Sequence, residues 1–105
     1  MCSAQIPISQ TFPKAGWVEQ NPWEIFNSTV KALKKLLQKS LVRPRDIHSI
    51  GITNQRETTI LWDSRSGEPL YNAVGWQCRR TSAYCQELID QGLGQKVRRI
   101  TGLPI

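Results

Sequence analysis

The residues most able to do chemistry sit in one polar break, Asn54-Gln55-Arg56-Glu57, between two apolar stretches, together with a tryptophan at position 76. Arg56 offers a rigid fork of donors and no acceptor; Glu57, ionised, offers acceptors and no donor. Adjacent residues on a regular strand point to opposite faces. Both can serve one ligand only if the backbone leaves strand geometry there, which the polar break permits. Trp76 supplies a flat apolar wall. The plainer readings are surface charge for the Arg-Glu pair and packing for the indole.

Other chemistry is poorly supported. Cys2, Cys78 and Cys85 are odd in number, and His48 is the single histidine. A structural zinc site takes about four ligands in tight pairs, so the three cysteines read as free thiols of a reducing compartment. Asn27-Ser28-Thr29 matches a glycosylation sequon but falls inside an expected helix. The chain carries a net charge of +6. Lys31, Lys34, Lys35, Lys39, Arg43 and Arg45 supply much of it, and read as a solvated helix face. A nucleic-acid site would need aromatics interleaved with these cations, and none are. Arg79 and Arg80 are expected near a helix N-terminus in solvent. Trp17, Trp23 and Trp62 read as packing residues.

The elements that must position the polar break follow from periodicity. Gln5 to Phe12 has partial alternation and reads as a strand, with Pro7 marking an edge. A turn follows at Pro13-Lys14-Ala15-Gly16. Asn21 can cap a helix, Pro22 suits its first position, and Glu24 stands three residues on, as in a capping box. Ile25, Phe26, Val30, Leu33, Leu36 and Leu37 then recur at helical spacing to about Lys39. Ile47 to Thr53 reads as a buried strand and Thr58 to Asp63 as another. Ser64 to Gly67 is a hairpin-type turn, with Pro69 to Ala73 returning as a short strand. A helix is expected from Arg80 to Gln91, closed by Gly92, and a short one from Gln95 to Ile100.

This order implies a layered α/β fold. At 105 residues, 39% hydrophobic and 21% charged, the chain reads as one soluble globular domain at most. No apolar run reaches the roughly 20 residues that cross a bilayer, and the first residues lack a secretory signal, which together suggest a cytoplasmic protein. Two or three strands with one flanking helix bury little, so the sheet is expected to be incomplete, with an open edge and poor folding in isolation.

Four stretches carry a family resemblance: Pro13-Lys14-Ala15-Gly16-Trp17-Val18-Glu19-Gln20-Asn21-Pro22; Gly51-Ile52-Thr53-Asn54-Gln55-Arg56-Glu57-Thr58-Thr59; Gly67 to Ala73 with Trp76-Gln77-Cys78-Arg79-Arg80-Thr81; and Thr101-Gly102-Leu103-Pro104-Ile105. Together, from about Gln5 to Ile105, they resemble the glycerol kinases of the FGGY carbohydrate kinases. Kinases for sugars such as xylulose differ after the equivalent strand.

The resemblance implies a partial ribonuclease-H-like, actin-like α/β domain spanning 1–105. It implies glycerol as partner, with Arg56, Glu57 and Trp76 as its binding residues. It also implies ATP and Mg2+ as cofactors of a full-length enzyme that makes sn-glycerol 3-phosphate, in a group whose members are often homo-oligomers. The family's phosphate loop would lie before Gln5. Its catalytic aspartate and adenine pocket would lie beyond Ile105. The chain is therefore expected to be a truncated, inactive portion that binds no cofactor; the alternative is a non-catalytic binding or interaction protein. Gly75 stands where the family usually has a branched apolar residue, and is expected to loosen the backbone beside Trp76.

Overall fold

A computed structural model describes residues 2–105. The element order is β1 (Glu19–Gln20), α1 (Pro22–Lys39), a 3-10 turn (Pro44–Asp46), β2 (Ala73–Val74), α2 (Ser82–Asp90) and α3 (Gly94–Thr101). The mixed α/β character matches the sequence reading, and both short C-terminal helices lie where periodicity puts them. Gly92 and Gly102 follow their ends with φ of 75° and 78°, the left-handed conformation that closes a helix.

Helix α1 forms for the reasons its sequence states. The Asn21 side chain accepts from the backbone N–H of Trp23 (2.9 Å) and Glu24 (3.3 Å), and Pro22 fills the first turn. The capping box is not closed. Glu24 instead accepts from the backbone N–H of Ser9 at 2.9 Å, which ties the N-terminal segment to the helix. Lys31, Lys34, Lys35 and Lys39 are exposed, as a solvated face requires.

The strands depart most from expectation. Residues 5–12 form no strand; only Thr11 pairs, with Glu19. Residues 47–53 form none either, and Ile50 and Ile52 are 74% and 92% exposed instead of buried. Of 58–63, Thr59 bridges Val74 and Trp62 bridges Pro69. A strand exists only through a partner that satisfies its backbone groups. Alternating apolar residues state what a segment would bury, not whether a partner is present. The returning strand is Ala73–Val74, shifted past the expected Pro69 start.

What does form is a narrow antiparallel ladder. Thr11 pairs with Glu19, Glu19 with Val74, and Val74 with Thr59. The 64–67 turn is as expected. The Asp63 carboxylate accepts from the N–H of Arg65 and Ser66, which holds it below the usual carboxylate range, and Gly67 takes φ of 74°.

The core is thin. Among the described residues, Val18 and Ala73 are the buried hydrophobic side chains, while Glu19, Gln20 and Ser28 are buried polar ones. The radius of gyration is 18.7 Å, against about 13 Å for a compact domain of this length. Trp23 is 45% exposed and packs edge-on against Phe26, with ring centres 6.3 Å apart, while Trp62 is 60% exposed.

Candidate functional site

The site is built around β1. Strand residues Glu19 and Gln20 are 1% and 4% exposed, and each holds a different part of the chain.

Glu19 gathers the segment that carries Trp76. Its carboxylate accepts from Tyr71 Oη–H (2.9 Å), Asn72 Nδ2–H (2.9 Å) and Arg80 Nη2–H (2.7 Å). The Asn72 amide and the Arg80 guanidinium do most to hold this carboxyl below the usual range, against the opposing effect of burial. Arg80 also donates to Cys78 Sγ at 2.9 Å and stacks 3.9 Å from the Trp17 ring centre. Its pKa is raised and it stays charged. This corrects the expectation for Arg80: it is the paired cation of a buried carboxylate, while Arg79 is the exposed one. Trp17 is accordingly a stacking platform for Arg80 and Lys14. Burial pushes the Cys78 thiol up, but hydrogen bonds at Val18 and Arg80 bring it below the usual thiol value.

The backbone reinforces this hold. Gly75 N–H donates to the Val18 carbonyl (3.0 Å), Cys78 N–H to Gly75 (2.9 Å) and Arg79 N–H to Gly16 (2.7 Å). Trp76 thus lies in a segment fastened on both sides. Gly75 is buried, and its φ is not in the left-handed region. Beside Trp76 the backbone is tied to the 16–18 segment by hydrogen bonds on both sides.

Gln20 holds the polar break. Its Oε1 accepts from Gln55 Nε2 at 2.8 Å, and the same Gln55 amide reaches Thr58 Oγ1 at 2.7 Å. Thr58 N–H donates back to the Gln55 carbonyl at 3.3 Å, closing a turn around Arg56 and Glu57. Glu57 has φ of 59°, the one non-glycine residue in the left-handed region among those described. That conformation costs a non-glycine residue roughly 1–2 kcal/mol. The strand geometry that would separate the two side chains is absent here, as the sequence requires of a shared site.

Arg56, Glu57 and Trp76, with Gln55, line one open depression of about 320 Å³. All three predicted residues are solvent-exposed, Trp76 by 59%. Neither Arg56 nor Glu57 enters an ion pair among the described residues, so the fork and the carboxylate face solvent instead of neutralising each other. The arrangement offers donors, acceptors and an apolar wall around one small volume. The structure brings these three together, as the sequence reading expects, and adds the anchors behind them. Glu19, Gln20 and Gln55 carry no periodicity; they stand inside the quoted stretches, but nothing local gives them an anchoring role.

Among the described residues no three His, Cys, Asp or Glu side chains cluster to hold a metal ion. Among the described residues no helix is long and apolar enough to cross a membrane.

The chain is also similar to known proteins. The chain is 48% identical over 103 residues to the glycerol kinase of Alkaliphilus oremlandii (strain OhILAs), covering 98% of the chain and 20% of that relative. It is 50% identical over 96 residues to glycerol kinase 2 of Thermotoga maritima, covering 91% and 19%. Among solved structures, gluconate kinase from Lactobacillus acidophilus matches with a TM-score of 0.82 and 25% identity, over 94% of this chain and 19% of that one. Plasmodium falciparum glycerol kinase with ADP matches with a TM-score of 0.74 and 35% identity, over 89% and 19%. The chain spans about one fifth of the length of the curated relatives it matches. Residues 1–105 match the N-terminal domain of the FGGY carbohydrate kinases, and the chain belongs to that family.

Proposed function

We propose that this chain is the glycerol-gripping part of the N-terminal domain of a glycerol kinase. The parent reaction is phosphoryl transfer from ATP to glycerol, giving sn-glycerol 3-phosphate and ADP. One observation carries the reading: Arg56, Glu57 and Trp76 line a single depression, with Glu57 turned into it by a left-handed backbone.

Glycerol is small, uncharged and hydroxylated at every carbon. Arg56 donates to its hydroxyl oxygens, and Glu57 accepts from its hydroxyl protons. Trp76 covers the carbon edge. The carboxylate gives specificity for hydroxyls, because a ligand lacking them leaves a charged acceptor unpaired.

ATP supplies the phosphoryl group and Mg2+ neutralises its charge in such reactions. Among the described residues no three His, Cys, Asp or Glu side chains cluster. No phosphoryl step is assigned to them. Glycerol is the partner we assign to this chain, and the cytoplasm, where ATP is available, is its compartment.

The test is a chimera in which residues 1–105 replace the matching segment of the Alkaliphilus oremlandii glycerol kinase. We expect glycerol-dependent ADP formation by the chimera and none by the 105-residue chain alone. Arg56→Ala should raise the KM for glycerol by roughly 10–100-fold, the loss of a charge-assisted hydrogen bond of about 1.5–3 kcal/mol. An unchanged KM would reject the site.

A further inference from the structure

We infer that Glu19 and Gln20 are the positioning residues of this site, one holding each wall of the depression. The inference rests on the glycerol reading for its kinetic consequence and on geometry alone for its structural one.

Gln20 and Glu19 are neighbours on β1, and their side chains leave opposite faces of the strand. Gln20 reaches Gln55, the residue before Arg56. Glu19 reaches Tyr71, Asn72 and Arg80, which flank the segment holding Trp76. The depression itself is open, and its three ligand-facing side chains are exposed. The Thr59–Val74 bridge joins the two walls at one point. Beyond it, the strand behind holds them, where two buried polar side chains are satisfied by partners from either wall. No buried side-chain polar atom is left unpaired among the described residues. A buried polar group that loses its partner is costly, so each anchor holds its wall to one geometry.

The two anchors use different chemistry. Gln55 presents an amide N–H, so position 20 needs an acceptor oxygen. Arg80 presents a guanidinium, so position 19 needs a carboxylate. Gln20→Glu keeps the acceptor with nearly the same shape, while Gln20→Leu keeps bulk and removes it. A role in packing alone would favour the leucine, because a buried carboxylate without a cation is penalised.

The experiment uses the chimera described above. We expect Gln20→Leu to raise the KM for glycerol about tenfold, with kcat and the KM for ATP within twofold of the parent, and Gln20→Glu to restore most of the loss. Leucine performing as well as glutamate, or kcat and both KM values falling together, would overturn the inference. A crystal structure of the Gln20→Leu chimera supplies the arm that does not need activity. The Arg56-Glu57 turn should lose its left-handed Glu57 while the Trp76 segment stays in place. A turn unchanged from the parent would overturn the positioning role even if glycerol binds. A displaced turn in a chimera indifferent to glycerol would uphold it and reject the substrate instead.

Discussion

Thr59 and Val74 exchange both backbone hydrogen bonds, at 3.0 and 2.9 Å. The pairing is antiparallel, so two residues before Thr59 lie opposite two residues after Val74. That pairing brings the polar break beside the Trp76 segment, and Arg56, Glu57 and Trp76 line one depression. The bridge is a single pair, yet it decides which side chains can meet in one depression.

Glu57 should show opposite effects on stability and on binding. Its left-handed backbone carries a cost of roughly 1–2 kcal/mol that asparagine pays in smaller part. In the chimera, Glu57→Asn should slow hydrogen exchange at the Thr58 and Thr59 amides while raising the KM for glycerol by at least tenfold. A variant that gains no protection would mean that the turn is unstrained, and an unchanged KM would remove the carboxylate from the site.

Gly75 should tolerate a methyl group. An added Cβ would meet Val18 Cγ1 at 3.4 Å and the Val18 carbonyl oxygen at 3.5 Å, ordinary van der Waals separations. Replacing glycine where the backbone allows it stabilises by about 0.4–1 kcal/mol, through the unfolded chain. Gly75→Ala should therefore increase protection of the Cys78 amide, which donates to the Gly75 carbonyl, by roughly 2–5-fold. Reduced protection would mean that this close approach to Val18 requires glycine.

The cap of α1 makes a third case. Asn21 satisfies two backbone donors of the first turn, and such caps contribute about 1 kcal/mol. Asn21→Ala should expose the Trp23 and Glu24 amides to exchange. Glu24→Gln should act elsewhere, at the Ser9 amide it accepts from. Coincident effects of the two variants at Trp23 and Glu24 would restore the closed capping box that the sequence suggested.

These cases show which features the sequence makes legible. Helix α1 is local: its cap, its proline and its apolar spacing lie within one segment, and each finds its partner there. Arg56, Glu57 and Trp76 stand out through the motif they belong to, and Glu57's departure from strand geometry follows from needing two adjacent side chains in one site. The strand at 47–53 was misread because Ile50 and Ile52 announce only a need for burial. Arg80 was misread because its partner, Glu19, is 61 residues away. A carboxylate between Val18 and a helix cap gives no local sign that it will be enclosed by Tyr71, Asn72 and Arg80.

That enclosure sets a pH dependence with a definite sign. Hydrogen bonds from Asn72 and Arg80 depress the folded-state pKa of Glu19. When the chain unfolds, the group returns to about 4.3. The unfolded state then binds the proton more readily at low pH. Stabilisation by Glu19 is complete above about 4.3 and is lost as pH falls toward the lower folded-state value. Glu19→Gln has no such proton to bind. In the chimera, the difference in Tm between the parent and Glu19→Gln should be full at pH 7 and shrink below about pH 4.3. Taking the difference cancels the other titrating groups. A gap of the same size at pH 7 and at pH 3 would show that the carboxylate is held no more tightly in the folded chain than in water, and the anchor of the Trp76 wall would have to lie in the backbone bonds to Val18 and Gly16 instead.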